Sequence, residues 1–273
     1  MRLAVTSDLH FDFVGHLTRP EAITAMVVQI ARSQPDAVVL AGDIAAGFAA
    51  FEACLAQFEG LGIPVGVVAG NHDLWRDNEL GMSTEKLWGG ALEKAAEDAG
   101  LVWLESHPIR VGDVAVVGSM CWYDYSAVDA AVRMTPDELA RAKNSLNGDG
   151  RHMDWARTDP DFAAELEREL LRKIDVQQSD PSVRSVAVVT HVPLLEEQMT
   201  RKPADHRWGT SNAYFGNLTT GRAVMERSKV KAIISGHSHV GHEAIVERPR
   251  LDPVLTHVVP SDYGTPKFVL LEL

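Results

Sequence analysis

The sequence predicts a mixed α/β fold in which two sheets are flanked by helices within one domain over residues 1–273. In the first half, apolar runs of about five residues alternate with amphipathic stretches, as in βαβ units around a buried parallel sheet. At the start of the second half, three short strands over 101–104, 109–111 and 114–117 have brief connections, as in a meander or hairpins. No repeat, linker or low-complexity block divides the chain, so a single domain is the economical interpretation.

The elements of the first half are bounded by residues with clear structural roles. Pro20 stands before the first helix, where its missing N–H costs nothing. Gly60 and Gly100 follow the next two helices, because glycine readily adopts the backbone conformation that ends a helix. Three amphipathic stretches predict helices over 21–32, 48–58 and 84–99. Three apolar runs predict strands over 3–6, 36–40 and 63–68.

The second half combines strands with a polar, helix-prone region. The segment 126–178, which holds a charged helix over 160–178, is interpreted as a candidate helical cap inserted into the domain. A loop over 201–220, rich in Gly, Asn and Thr, leads into a helix over 222–228. Short apolar runs predict the remaining strands over 101–104, 109–111, 114–117, 185–190, 230–235, 243–247, 254–259 and 268–271.

Charge and cysteine content limit the partners and the compartment. A formal net charge of −12 argues against nucleic acid and anionic membranes, which call for a basic face. It leaves room for a phosphorylated small molecule, since a bound cation supplies positive charge locally. Two cysteines, Cys54 and Cys121, cannot form a disulfide framework, and the N-terminus does not resemble a signal peptide. We therefore expect a cytoplasmic protein with no membrane segment, and leave its oligomeric state open.

Five apolar runs end in residues that can bind metal. They stop at Asp8-Leu9-His10, Gly42-Asp43, Gly70-Asn71-His72-Asp73, His191 and Gly236-His237-Ser238-His239. Ligands gather beyond the carboxyl ends of such strands, so these side chains are expected to converge. Asp8 and His10 lie two residues apart and would share a face of extended backbone, as would His237 and His239.

The chemistry of this set indicates two divalent cations. Carboxylate, amide and imidazole donors suit Mn, Fe, Zn or Ni, whereas the absence of sulfur argues against a cysteine-type structural zinc. There are more potential ligands than one tetrahedral ion binds. Two ions about 3.5–4 Å apart would account better for the number of ligands. Taken singly, Asp8 reads as a turn residue and Asp43 as a helix cap. Together with Asn71 and the histidine pair, the metal interpretation is favoured.

The order D-x-H, G-D, G-N-H-D, a single strand-end His and G-H-x-H resembles the calcineurin-like metallophosphoesterase superfamily. The resemblance extends from Asp8 to His239. It implies a four-layer αββα sandwich, with a dinuclear metal site at the carboxyl ends of the strands. It also implies hydrolysis of a phosphodiester or phosphomonoester through attack by a metal-bridging hydroxide.

The resemblance also implies individual roles. His72 would not be a ligand and would protonate the leaving oxygen as a general acid, and Asp73 would orient His72. The first ion would be held by Asp8, His10 and His239, the bridging ligand would be Asp43, and the second ion would be held by Asn71, His191 and His237.

One departure from the family pattern and the absence of several subfamily features narrow the class of substrate. Many members read G-D-x-x-D, but Ala46 stands where the second acid would be. The Arg-Gly and G-N-H-E features of protein Ser/Thr phosphatases are absent, and so is the tyrosine ligand of purple acid phosphatases. A small-molecule or nucleotide phosphoester therefore fits better than a phosphoprotein. Two alternatives remain: a non-catalytic metal-binding scaffold for a protein partner, and a nuclease of the same superfamily, against which the acidic charge counts.

Overall fold

Two mixed sheets form the centre of the computed structural model, which describes residues 1–11, 18–45 and 47–273. The strand order of the first sheet is β11 (Phe268–Glu272), β1 (Arg2–Thr6), β2 (Ala37–Ala41), β3 (Val65–Val68), β4 (Val102–Trp103). In this sheet β1 to β4 run parallel, and β11 pairs antiparallel with β1 at the edge.

The second sheet also has a parallel centre and antiparallel edges. Its order is β5 (Ile109–Val111), β6 (Val114–Ser119), β7 (Ser185–Thr190), β8 (Val230–Ser235), β10 (Leu251–Val258), β9 (His242–Arg248). Every residue of β6 is buried, which explains why its sequence reads as a continuous run without alternation.

Helices cover the outer faces of both sheets. The helices are α1 (Pro20–Arg32), α2 (Phe48–Leu55), α3 (Thr84–Lys86), α4 (Leu92–Asp98), α5 (Pro136–Leu146), α6 (Asp149–His152), α7 (Asp159–Ser179), α8 (His206–Ser211) and α9 (Leu218–Met225). Alternate residues of β6 face opposite ways: Val116 joins the core between the sheets, whereas Val117 packs with Leu170 and Ile174 of α7. The predicted two-sheet fold with flanking helices is confirmed.

The structure divides some of the predicted elements. The single helix expected over 84–99 is divided into α3, a π-helical turn over Leu87–Ala91, and α4. The break occurs at Gly90, whose φ of 134° lies outside the helical range. The predicted loop 201–220 contains α8 and the start of α9. Side-chain caps explain both starts, since Asp205 accepts from the Trp208 N–H and Asn217 from the Thr220 N–H.

The segment 126–178 is attached to the domain in two ways. Its long helix α7 belongs to the outer layer, where Leu170 and Ile174 are buried against the second sheet. The residues between α5 and α6 instead line a cavity at the edge of the sheets. A capping box of Thr135 and Glu138 begins α5. Whether the segment acts as a cap stays a prediction.

Candidate metal centre and active site

The seven predicted ligands meet where the carboxyl ends of the two sheets come together. The first sheet contributes the residues after β1, β2 and β3, and the second those after β7 and β8. Backbone hydrogen bonds join neighbouring ends, as from the Asp8 N–H to the Gly42 carbonyl at 2.9 Å. The His237 N–H donates to Asp8 Oδ2 at 2.9 Å and so connects the two sheets.

One group of side chains brings together Asp8, His10 and His239. His239 Nε2 lies 3.2 Å from Asp8 Oδ1 and 3.0 Å from His10 Nε2. Asp8 and His10 are buried, and His239 is partly exposed. A carboxylate oxygen and two ring nitrogens directed at one point form a donor set suited to a cation.

A second group lies next to Asp43 and comprises His191, His237 and Asn71. His191 Nε2 lies 3.3 Å from Asp43 Oδ1, 3.1 Å from His237 Nδ1 and 3.0 Å from Asn71 Oδ1. The other ring nitrogens face main-chain carbonyls: His191 Nδ1 lies 2.9 Å from the Ala41 oxygen, and His237 Nε2 faces Tyr214 at the same distance. Such contacts set the ring orientations and leave one nitrogen of each ring toward the site.

Asp43 lies between the two groups, as a bridging ligand requires. Its Oδ1 faces His191, and its Oδ2 lies 3.8 Å from His10 Nε2. The His72 N–H donates to Oδ1 at 2.9 Å and anchors the carboxylate. The same side chain can therefore face two cations at once.

His72 lies at the edge of this cluster, in the position expected of a group that contacts substrate. Its Nε2 is 3.8 Å from Asp43 Oδ2, and its ring stacks on Trp75 with centroids 3.7 Å apart. His72 also belongs to a third set of potential ligands with His10 and Asp43. The roles of His72 as proton donor and of the other seven as ligands stay predictions.

The contacts of Asp73 differ from the expectation that it orients the His72 ring. Its Oδ1 accepts from the Ile44 and Ala45 N–H groups at 2.9 Å, and its Oδ2 from the Gly70 N–H at 2.7 Å. No side-chain hydrogen bond joins it to His72 among the described residues. Asp73 instead ties the loop after β2 to the loop after β3, which holds the backbone around Asp43.

The backbone at the site also differs from the extended conformation assumed for the D-x-H and H-x-H pairs. Five of the predicted ligands have positive φ, which costs about 1–3 kcal/mol each outside glycine. Such strain persists only where the surrounding structure imposes it. The five φ angles are 55° for Asp8, 44° for His10, 52° for Asp43, 69° for His237 and 59° for His239.

Burial and mutual charge shift the pKa values of the cluster without metal. Burial raises the pKa of Asp8, but the hydrogen bond and charge of His239 prevail and lower it to about 2. Burial lowers the pKa of His10 and His237 to about 4. Burial also lowers that of His191, but the charge of Asp43 outweighs it and raises the value to about 9. In the metal-free cluster, His191 is therefore in its doubly protonated, positively charged form at neutral pH.

Cation binding is therefore expected to release a proton from His191, because Nε2 must be neutral to act as a ligand. Apparent affinity should rise with pH up to about 9, the pKa of that ring. Titration calorimetry with Mn²⁺ in buffers of different protonation enthalpy measures the release at pH 7. The buffer dependence should weaken as the pH rises through about 9, and equal enthalpies in all buffers at pH 7 would contradict the assignment.

Asp43 occupies space that is free only because residue 70 is a glycine. A Cβ on Gly70 would lie 2.1 Å from the Asp43 nitrogen and 2.2 Å from its Oδ1, closer than atoms can approach. Gly70→Ala is expected to destabilise the protein by about 1–3 kcal/mol and to displace the carboxylate. Urea unfolding measures the first effect and Mn²⁺ titration the second. Gly89→Ala is the matched control, since a Cβ there meets nothing within 4 Å; equal stability of the two variants would refute the packing argument.

The cluster opens into a cavity of about 310 Å³. Trp75, Phe215 and Tyr263 form aromatic walls, and Asn147 and Ser238 add polar groups. No Lys or Arg lines the cavity among the described residues, and residues 12–17 and 46 include neither type. Ala46, whose identity distinguishes the G-D motif, and His16 lie outside the described residues.

Sequence reasoning did not identify Asp149 as part of the site. This carboxylate is 1% exposed and accepts hydrogen bonds from Asn71, Trp75 and Tyr123. The only sequence signal was its place in the turn cluster 144–150, which predicts a loop and no chemistry.

The fold and the donor set together define a metal-dependent phosphoester hydrolase. A family model described as calcineurin-like phosphoesterase matches residues 1–241. The chain belongs to this family, whose members carry a dimetal centre, and the oxygen and nitrogen donors at the sheet edge fit such a centre. No curated protein matched the sequence.

Solved structures share the fold at low identity. A phosphopantetheinyl hydrolase from Mycobacterium tuberculosis has a TM-score of 0.71 at 19% identity, covering 96% of this chain and 89% of that one. A dimetal phosphatase from Danio rerio has a TM-score of 0.54 at 15% identity, covering 94% of this chain and 86% of that one. A purple acid phosphatase from yellow lupin (Lupinus luteus) has a TM-score of 0.51 at 15% identity, covering 97% of this chain and 44% of that one. In the described part of the chain, no helix has the length and apolarity to cross a bilayer.

Proposed function

We propose that this protein hydrolyses a small-molecule phosphomonoester or phosphodiester with the help of two divalent cations. The observation that carries the proposal is the convergence of two donor groups on either side of Asp43, beside a cavity. Mn, Fe, Zn and Ni all suit oxygen and nitrogen donors. When bound, two such ions would activate water as the nucleophile and neutralise charge on the phosphate.

The residues of this chain supply orientation and a proton. His72 Nε2 lies next to Asp43, at the cavity wall, where the leaving oxygen of a bound phosphoester can reach it. Stacking on Trp75 holds the ring in place. A proton donated from His72 would spare the leaving group its negative charge, the usual contribution of a general acid.

The cavity favours substrates with one phosphorus atom. Each further phosphate of a polyphosphate would bring negative charge to walls that carry no Lys or Arg among the described residues. The aromatic walls of Phe215 and Tyr263 suit an uncharged organic group instead.

We accordingly expect kcat/KM for p-nitrophenyl phosphate or bis(p-nitrophenyl) phosphate to exceed that for ATP by about tenfold or more, a difference of 1.4 kcal/mol. The measurement is a panel of these esters, a cyclic nucleotide and a glycerophosphodiester with each of the four metals. One structural relative is named a phosphopantetheinyl hydrolase, so a phosphopantetheinyl ester belongs in the panel. Preference for ATP would contradict the cavity argument.

The same panel separates the alternatives. A protein that holds two ions and hydrolyses none of the esters would support a scaffold. Cleavage of single-stranded or duplex DNA in preference to the small esters would support a nuclease. Either result would reject the proposed function.

A further inference from the structure

The turn cluster between α5 and α6 contributes a buried carboxylate to the surroundings of the metal centre. Asp149 begins α6, and its own N–H is held by Asn147 Oδ1 at 2.7 Å. Three side chains donate to it: Asn71 Nδ2 and Trp75 Nε1 to Oδ1, and the Tyr123 hydroxyl to Oδ2, each at 2.8 Å. These donors come from the loop after β3 and the segment after β6.

We propose that Asp149 is a positioning residue that turns the Asn71 amide so that its carbonyl oxygen faces the second metal position. The proposal rests on the proposed ligand role of Asn71. A carboxylate has no proton to give, so Asn71 must present its NH₂ group to Asp149. The other end of the amide, Oδ1, then points at His191, 3.0 Å from Nε2.

Asp149 also reaches His72 through Trp75. The indole N–H is held by Oδ1, and the indole ring stacks on His72. Asp149 Oδ1 thus positions both Asn71, a predicted ligand, and Trp75, on whose ring the predicted acid His72 stacks. Burial and the charge of Asp149 raise the pKa of Tyr123 well above its ordinary value, which keeps that hydroxyl protonated as a donor.

The structure offers a matched control in Asp159. This carboxylate is also buried, and it accepts from Trp122 Nε1 at 2.7 Å, from the Tyr125 hydroxyl and from Lys143 Nζ at 2.6 Å. None of its donors is a predicted ligand. Loss of Asp159 therefore removes comparable buried hydrogen bonds without releasing Asn71.

The test compares Asp149→Ala, Asp149→Asn and Asp159→Ala by Mn²⁺ titration, with thermal unfolding of each metal-free protein. We expect Asp149→Ala to weaken the second Mn²⁺ by about 10–100-fold, the usual effect of losing a group that orients a ligand. Asp149→Asn should stay near the parent affinity, because its amide oxygen can accept from Asn71 and Trp75 while the Tyr123 hydroxyl rotates to accept. Asp159→Ala should keep both ions although its melting temperature falls.

Parent-like affinity in Asp149→Ala would overturn the proposal. So would an equal loss of Mn²⁺ in Asp159→Ala, which would point to general destabilisation, or a loss in Asp149→Asn as large as in Asp149→Ala. The readout is independent of catalysis. A parent protein that binds two Mn²⁺ but hydrolyses no ester would refute the proposed function and leave the role of Asp149 standing.

Discussion

Replacing His72 with asparagine is expected to lower kcat by about 10²–10⁴-fold, the contribution typical of a general acid, while both metal ions stay bound. The ring lines the cavity with Nε2 3.8 Å from Asp43 Oδ2, and its backbone N–H, which anchors Asp43, is unaffected by the substitution. The measurement is steady-state hydrolysis of bis(p-nitrophenyl) phosphate, with metal content determined on the same sample.

Metal content decides between the two roles open to His72. His72 also shares a potential ligand set with His10 and Asp43, so loss of an ion from His72→Asn would make it a ligand and not the acid. An unchanged kcat at full occupancy would reject both roles. His107→Asn is the control, since His107 is exposed and does not line the cavity.

Asp43→Asn is expected to weaken both ions by about 100-fold or more, equivalent to about 2.7 kcal/mol for each. One carboxylate faces both donor groups, and an amide lacks the charge that offsets two cations. Hydrolysis should fall with occupancy. Mn²⁺ titration followed by calorimetry measures the two affinities.

Asp8→Asn provides the contrast. Asp8 belongs to a single donor group, with His10 and His239, so this variant should weaken one ion and leave the other near the parent affinity. If Asp43→Asn also affected one ion alone, Asp43 would be an ordinary ligand and the bridging role would be wrong.

Local sequence was sufficient to predict those features of the structure that depend on residues close together in the chain. Continuous apolar runs such as those of β2 and β3 predicted strands of a buried parallel sheet, because burial on both faces leaves no polar alternation. The polar residues directly after such runs predicted the site, since parallel strands deliver their carboxyl ends to a common edge.

Contacts between distant segments could not be predicted in this way. Asp149 lies 78 residues from Asn71, and nothing in the turn cluster 144–150 indicates that pairing. Asp73 follows His72 in sequence, yet its carboxylate binds the loop after β2. In each case the partner depends on how loops cross at the sheet edge, which residue type and spacing do not encode.

The amino-acid sequence alone predicted the class of fold and the strands that carry the site, since both follow from local periodicity. The seven oxygen and nitrogen donors were predicted from side-chain chemistry together with the resemblance to the calcineurin-like family. Only the tertiary structure decided the positive φ angles of five donors, the place of Asp43 between two groups and the carboxylate behind Asn71. Such features arise where two sheets meet, because packing across that junction can hold strained backbone and orient side chains that no single segment could hold.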